Sequence, residues 1–216
     1  MHIVWQNRAL LEEGLKYTFK LFFFVVVLGT FFGCLFGTGL LYGNLVIRGV
    51  LRAYVDIIRG IPLIVTIFLL FYGPVAYGIN LSPFQSIVAA LTIFSAAHMA
   101  EIVRGSIGAV PRGQTDAAKA IGLTFWPRIR HIILPQAAPL MVGPWTNLAV
   151  DMFKSTSLAI LVSQADFLFA IQKRASAKGH YLDFYLAATV VYFVCCFGIS
   201  RLGVWASKRM RAGVVS

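Results

Sequence analysis

The sequence predicts an all-α integral membrane protein with five transmembrane helices. Three observations predict it. Hydrophobic residues make up 59% of the chain and charged residues only 12%, about half the roughly 25% of a soluble domain. The mean hydropathy is +0.80. Long stretches carry no formal charge, such as those between Lys20 and Arg48 and between Arg59 and Glu101. A transmembrane helix takes roughly 20 apolar residues, so 216 residues hold five or six spans and short connections. A soluble enzyme, a disordered tail and a disulfide-held scaffold are excluded on composition.

The first span is expected at about 18–43. No small-residue cleavage site closes a short apolar run, so this run reads as a permanent helix rather than a signal peptide. It contains Gly29, Gly33 and Gly37. Lipid offers no hydrophobic drive between helices, so small residues at this spacing let backbones approach closely. They predict a packing seam against another helix, of this chain or of a partner. The next charge-free stretch is too long for one span, and Tyr77-Gly78-Ile79-Asn80-Leu81-Ser82-Pro83 breaks it with turn residues. Two helices follow, at about 58–79 and 84–104. The fourth span is expected at 133–160 and the fifth at 184–204, followed by a basic tail.

The net charge is +11, from 19 Lys and Arg against 8 Asp and Glu. These charges lie between apolar runs, so they set membrane orientation rather than mark a nucleic-acid surface. Arg48, Arg52 and Arg59 precede the second span. Arg104, Arg112, Lys119, Arg128 and Arg130 lie between spans three and four, and Arg201, Lys208, Arg209 and Arg211 follow the fifth. These share one side. Arg8, Lys16, Lys20, Lys173, Arg174 and Lys178 share the other. The excess places the C-terminus in the cytoplasm and the N-terminus outside. Cys34, Cys195 and Cys196 are an odd number within apolar runs. They read as packing residues, not as a disulfide framework or metal site.

The segment 111–131 is the most informative. It reads as helix, turn, helix. Thr115 or Asp116 can cap or start a helix, the alanines 117, 118 and 120 favour one, and Gly122 lets the chain turn. Thr124 is placed to cap a second short helix carrying Phe125 and Trp126. Small, aromatic and basic residues together suit docking into a groove of a soluble partner.

The segment resembles the EAA loop of the membrane subunits of bacterial ABC importers, E-A-A-x3-G-x9-I-x-L-P. Asp116, Ala117, Ala118, Gly122, Ile132, Leu134 and Pro135 stand at matching positions, with Asp in place of Glu as the departure. Ala100-Glu101-Ile102-Val103-Arg104-Gly105, Val110-Pro111-Arg112-Gly113, Arg59-Gly60-Ile61-Pro62-Leu63, Leu134-Pro135-Gln136-Ala137 and Lys154-Ser155-Thr156-Ser157-Leu158 resemble the polar amino-acid permeases of that superfamily. The resemblance runs from about residue 17 to 210. It implies a type I ABC importer permease core that forms the translocation pathway for polar amino acids in the inner membrane. It further implies an ATP-binding subunit dimer docked on the seven matching residues and a second permease chain, identical or homologous. An extracytoplasmic amino-acid-binding protein would deliver the substrate.

No G-x-x-x-x-G-K-[ST] phosphate loop is present, so no ATP hydrolysis by that route is expected of this chain. No cofactor is expected on it either; ATP and Mg2+ belong to the partner ATPase, and no nucleic acid is implied. Asp151 and Lys154 lie three apart on the fourth span and share a helix side. With Asn147 and Thr156 they are the pathway candidates. A charge within a membrane span is a functional candidate, and the pair either handles the substrate's charged groups or only neutralises itself. His98 reads as a hydrogen-bonded packing residue, and Glu101 with Arg104 as an interfacial pair. The alternatives are an ion-coupled secondary transporter, which Pro62, Pro135, Pro139 and Pro144 would suit, and an intramembrane enzyme. No inverted repeat supports the first and no catalytic motif the second.

Overall fold

The computed structural model describes residues 8–215, with the side chains of residues 8 and 211–215 excepted. Arg8 and Arg211, counted above for orientation, thus have side chains outside the described set. The described chain is helical throughout. Helix α1 (Arg8–Tyr42) has 35 residues, about 52 Å at 1.5 Å per residue. It begins ten residues before the expected span. Glu12, Glu13 and Lys16 end the apolar run without ending the helix, because charge marks where lipid stops and not where backbone pairing stops.

The expected single helix at 58–79 is corrected. The stretch before it, read as a loop, is α2 (Leu45–Gly60), capped by Asn44, whose side chain accepts from the Ile47 N–H. Arg48, Arg52, Asp56 and Arg59 recur at helical spacing, which makes one polar face. Helix α3 (Leu63–Tyr72) follows, then a 3-10 turn at Pro74–Tyr77. The axes on either side of the break differ by 106°. Pro62 causes it: the residue before a proline is driven out of the helical region, and Ile61 sits at φ −98°, ψ 133°.

Helix α4 (Pro83–Gly108) begins in a reciprocal cap. Ser82 accepts from the Gln85 N–H, and the Gln85 side chain accepts from the Ser82 N–H. Helices α5 (Arg112–Ala120) and α6 (Phe125–Arg128) and a π turn at Ile129–Ile133 lead into α7 (Leu134–Ser155). A 3-10 stretch at Thr156–Val162 follows. The loop expected at 163–183 is also corrected: it contains α8 (Phe167–Lys178), capped by Asp166, which accepts from Leu168 and Phe169 N–H groups. The last helix, α9 (Tyr181–Val215), outruns the expected 184–204 at both ends.

Among the described residues Ala9–Tyr42, Pro83–Gly108 and Tyr181–Met210 are each long and apolar enough to cross a membrane, and two bent pairs, each counted as one span, bring the candidate passes to five. The fold is the all-α, five-span class that the composition predicts.

The glycine seam of α1 lies against α4 of the same chain. A Cβ on Gly29 would stand 2.7 Å from Ser95 Cβ, one on Gly33 2.6 Å from Met99 Cγ, and one on Gly37 2.6 Å from Val103 Cβ. Contacts that rise together along both helices make α1 and α4 parallel. The main core is Leu21 and Val25 of α1, Ile67 of α3, Ile87, Leu91 and Met99 of α4, and Leu148 and Met152 of α7. A second core joins Leu11 to Phe167 and Ile171 of α8 and Phe184 of α9. The Phe167 N–H donates to Thr18 Oγ1 at 3.1 Å there. Helix α9 runs antiparallel to α7, since Phe153 meets Tyr192 and Thr146 meets Gly203. It therefore ends on the side where the 111–131 segment lies, opposite the start of α1.

Candidate functional site

The 111–131 segment is held by a small apolar core of Val110, Ile133 and Ala137. Pro111 is extended at φ −56°, ψ 134°, and α5 starts directly after it. Thr115 and Asp116 lie inside that helix, so neither caps it, which corrects the sequence reading. Asp116 is exposed, its carboxylate 3.9 Å from Lys119 Nζ. Ala117 faces solvent and Ala118 is buried.

Gly122 sits at φ +79°. The Leu123 N–H donates to Ala118 O at 3.0 Å and the Gly122 N–H to Lys119 O at 2.9 Å, the paired bonds of a helix end that needs a left-handed residue. Thr124 has the extended conformation of a helix cap, but its side chain accepts no capping bond. Pro127 occupies the third helical position, where the usual donor N–H is missing.

Phe125 packs edge-on against Tyr42 at the end of α1, ring centroids 5.1 Å apart. Gln136 Nε2 donates to Gln114 Oε1 at 3.2 Å and to Ile132 O at 2.8 Å. The sequence reading missed this glutamine pair, which ties α5 to the base of α7. Of the seven EAA-like residues, Asp116, Ala117, Gly122, Leu134 and Pro135 are exposed, Ile132 is half-buried and Ala118 buried. Ile121 and Trp126, each 74% exposed, add apolar surface beside them. A surface of this composition can dock a partner and pass its motion directly into α7.

Glu101 is a hub rather than half of a pair. Its carboxylate accepts from Arg104 Nη2 at 2.6 Å and from Arg52 Nη1 at 3.0 Å, with Arg59 Nη1 at 4.0 Å. It clamps α2 to α4. The missed signal was the spacing of Arg52 and Arg59 on one face of α2. His98, one turn earlier, packs on the Phe94 ring with centroids 4.4 Å apart. Its Nδ1 lies 3.0 Å from Phe94 O, the packing role expected of it.

Asn147, Asp151 and Lys154 share one exposed face of α7, at i, i+4 and i+7. Lys154 Nζ lies 2.8 Å from Asp151 Oδ1, with the side chains 57% and 61% exposed. Thr156 is not with them. It is fully buried, and its hydroxyl donates to Phe153 O at 2.6 Å. Asp151 stands seventeen residues beyond Leu134, about 25 Å along the helix, toward the membrane side opposite the 111–131 segment.

Comparison with known proteins adds to this geometry. Residues 29–212 match the family model described as binding-protein-dependent transport system inner membrane component. The chain is 33% identical over 203 residues to the L-cystine transport system permease protein TcyB of Bacillus subtilis, covering 93% of this chain and 86% of that one. It is 29% identical over 210 residues to the glutamine transport system permease protein GlnP of Escherichia coli K12, covering 96% of each. The crystal structure of an amino acid ABC transporter with histidines has a chain with TM-score 0.90 at 30% identity, covering 95% of this chain and 96% of that chain. The MetNI methionine ABC transporter in an inward-facing conformation shares the fold, with TM-score 0.80 at 21% identity over 94% of this chain and 96% of that chain.

Proposed function

The chain belongs to the family of binding-protein-dependent transport system inner membrane components, and from that premise we propose that it forms one half of the pathway of an importer for polar amino acids. It is an ABC importer transmembrane subunit, a multi-pass protein of the inner membrane. The observation that carries the substrate class is the likeness to the amino acid transporter with histidines across nearly the whole chain. The relatives named for cystine and for glutamine support the same class. A partner ATPase, not an ion gradient, supplies the driving force in this reading.

In this reading a partner ATPase dimer docks on Asp116, Ala117, Ala118, Gly122, Ile132, Leu134 and Pro135. ATP and Mg2+ bind to that partner, and this chain holds no cofactor. A second permease chain, identical or homologous, completes the pathway, and an external binding protein delivers the amino acid. The N-terminus lies outside and the C-terminus in the cytoplasm, in keeping with the basic side chains gathered on the 111–131 side. The test is ATPase activity of the reconstituted complex across a panel of amino acids. Activity rises with one or a few polar amino acids plus binding protein, and the purified chain alone hydrolyses no ATP. Nucleotide-dependent turnover by the homogeneous chain overturns the reading.

Asn147, Asp151 and Lys154 line the pathway toward its outer end. An exposed ion pair on a span is costly against lipid, so this face turns toward the second permease chain and a wet path between them. Asp151→Asn then lowers uptake, most for cationic substrates, while the ATPase stays bound to the distant 111–131 segment. The check is transport by Asp151→Asn, Lys154→Gln and the double variant, beside their thermal stability. A double variant with wild-type stability and wild-type transport makes the pair structural only and removes it from the pathway.

A further inference from the structure

An apolar groove of about 640 Å³ opens between the end of α1, the start of α2 and the α6 turn. Its size falls within the roughly 300–1,000 Å³ of sites that take small molecules. Leu35, Gly39, Tyr42, Ile47, Phe125 and Trp126 line it. It continues the outer face of α1, where Phe31 and Leu35 are exposed, so its open side runs on into an exposed apolar helix face. Tyr42 and Trp126 stand where α1 ends, the level at which such rings favour the membrane–water interface.

Two guanidinium groups flank it. Arg48 is exposed, and its Nε donates to the carbonyl of the groove residue Gly43 at 2.8 Å. Arg128 lies 5.8 Å from the centre of the Phe125 ring. Among the described residues neither has an acidic partner within ion-pair distance, whereas Arg52, Arg59 and Arg104 share Glu101. A basic rim around an apolar slot at the cytoplasmic surface matches an anionic phospholipid, charged at the head and apolar in the tail.

We infer that this groove is a binding site for an anionic phospholipid of the cytoplasmic leaflet. Its acyl chain lies against Leu35 and Gly39, and its phosphate is held by Arg48 and Arg128. The inference rests on the cytoplasmic placement of the 111–131 side proposed above. Because α6 forms one wall of the groove and leads into α7, an occupied groove steadies the segment on which the ATPase docks. A soluble partner is the weaker occupant, since the open side continues the exposed apolar face of a helix long and apolar enough to cross a membrane.

The test needs only the full chain in phosphatidylcholine vesicles doped with brominated phosphatidylglycerol or brominated phosphatidylcholine. The quenching lost in Trp126→Phe reports the groove. The anionic lipid quenches Trp126 more effectively than the zwitterionic one, by about fivefold in apparent affinity for each arginine. Arg48→Gln with Arg128→Gln abolishes that preference, and Arg48→Lys with Arg128→Lys keeps most of it, which separates charge recognition from misfolding. Equal quenching by both lipids in the unaltered chain overturns the inference. So does a preference that survives the double Gln variant, and so does loss of quenching when the ATPase subunit is added, which makes the groove that partner's seat. No ATPase enters the first two measurements, so a failure of coupling and a failure of lipid binding are read apart.

Discussion

Replacing Gly33 with leucine removes the folded chain from the membrane fraction. The reason is the approach of α1 to α4. A Cβ alone at Gly33 would stand 2.6 Å from Met99 Cγ and 3.0 Å from the Ala96 carbonyl oxygen. A change of rotamer moves Met99 Cγ aside, but Met99 Cβ, which the new Cβ would overlap, and the Ala96 carbonyl are both fixed to a helix backbone and cannot yield. Overpacking a well-packed site typically costs about 1–3 kcal/mol, and leucine adds three more carbons to that contact. The whole chain has only about 5–15 kcal/mol in reserve. Gly29 and Gly37 make the same close approach one turn away on each side, so the helices cannot part at Gly33 without parting along the seam. Expression and thermal unfolding in detergent are the measurements. Gly33→Ala folds with a lowered Tm, and Met99→Gly, which removes the Cβ it would overlap, restores part of the loss. A leucine variant with an unchanged Tm would show that α1 does not lie on α4 as described.

Gly122→Leu folds but loses transport. Gly122 is left-handed at φ +79°, and among the described residues beyond its chain neighbours nothing lies within 4 Å of a Cβ. The substitution therefore meets backbone strain of about 1–2 kcal/mol rather than a clash inside the chain. That strain falls on a turn between two short helices with little packing to resist it, so the turn changes shape. Ile121 beside it then leaves the surface proposed to seat the ATPase. Transport in vesicles falls at least tenfold, about 1.4 kcal/mol of coupling, and co-purification of the ATPase weakens. Gly122→Asn retains more transport because Asn enters the left-handed region more readily. Normal assembly together with normal transport in Gly122→Leu would dissociate this turn from coupling.

The two glycines show what kind of feature can be read in a sequence. Gly122 sits in a local pattern, and its turn involves residues 118 to 123 alone. The small-residue repeat of α1 was equally visible, because a seam declares itself on the helix that carries it. Its partner was not visible: nothing in the order of residues says that Ser95, Met99 and Val103 lie opposite. Glu101 gives the same lesson. Arg104 is three residues away and was paired with it directly, whereas Arg52 and Arg59 reach it only because α2 folds back beside α4.

The misread segments share one cause. Helix α2 and helix α8 stand in stretches rich in charge, and charge was taken for loop. Charged residues end a span because they cannot leave water, yet they do not end a helix, whose hydrogen bonds are internal to the backbone. The polar face Arg48, Arg52, Asp56 and Arg59 and the capping Asp166 were the local signs of helix in those stretches. Thr156 failed for a different reason. Its neighbours Asp151 and Lys154 are on the open face of α7, but at 3.6 residues per turn Thr156 stands about 140° from Asp151 and about 160° from Lys154, on the buried side of the same helix.

The sequence by itself determined the class of the molecule, its apolar spans, the division of basic charge between two sides and the helix–turn–helix of the 111–131 segment. Each depends on composition or on residues a few positions apart, where burial preference and backbone propensity act locally. Only the tertiary structure decided which helix meets the glycine seam and that Glu101 serves three arginines. It also decided that the face of α7 carrying Asn147, Asp151 and Lys154 is left open while the opposite face is buried. Those facts depend on distances between segments far apart in the chain, and such distances are set by how side-chain volumes fit once the helices are packed.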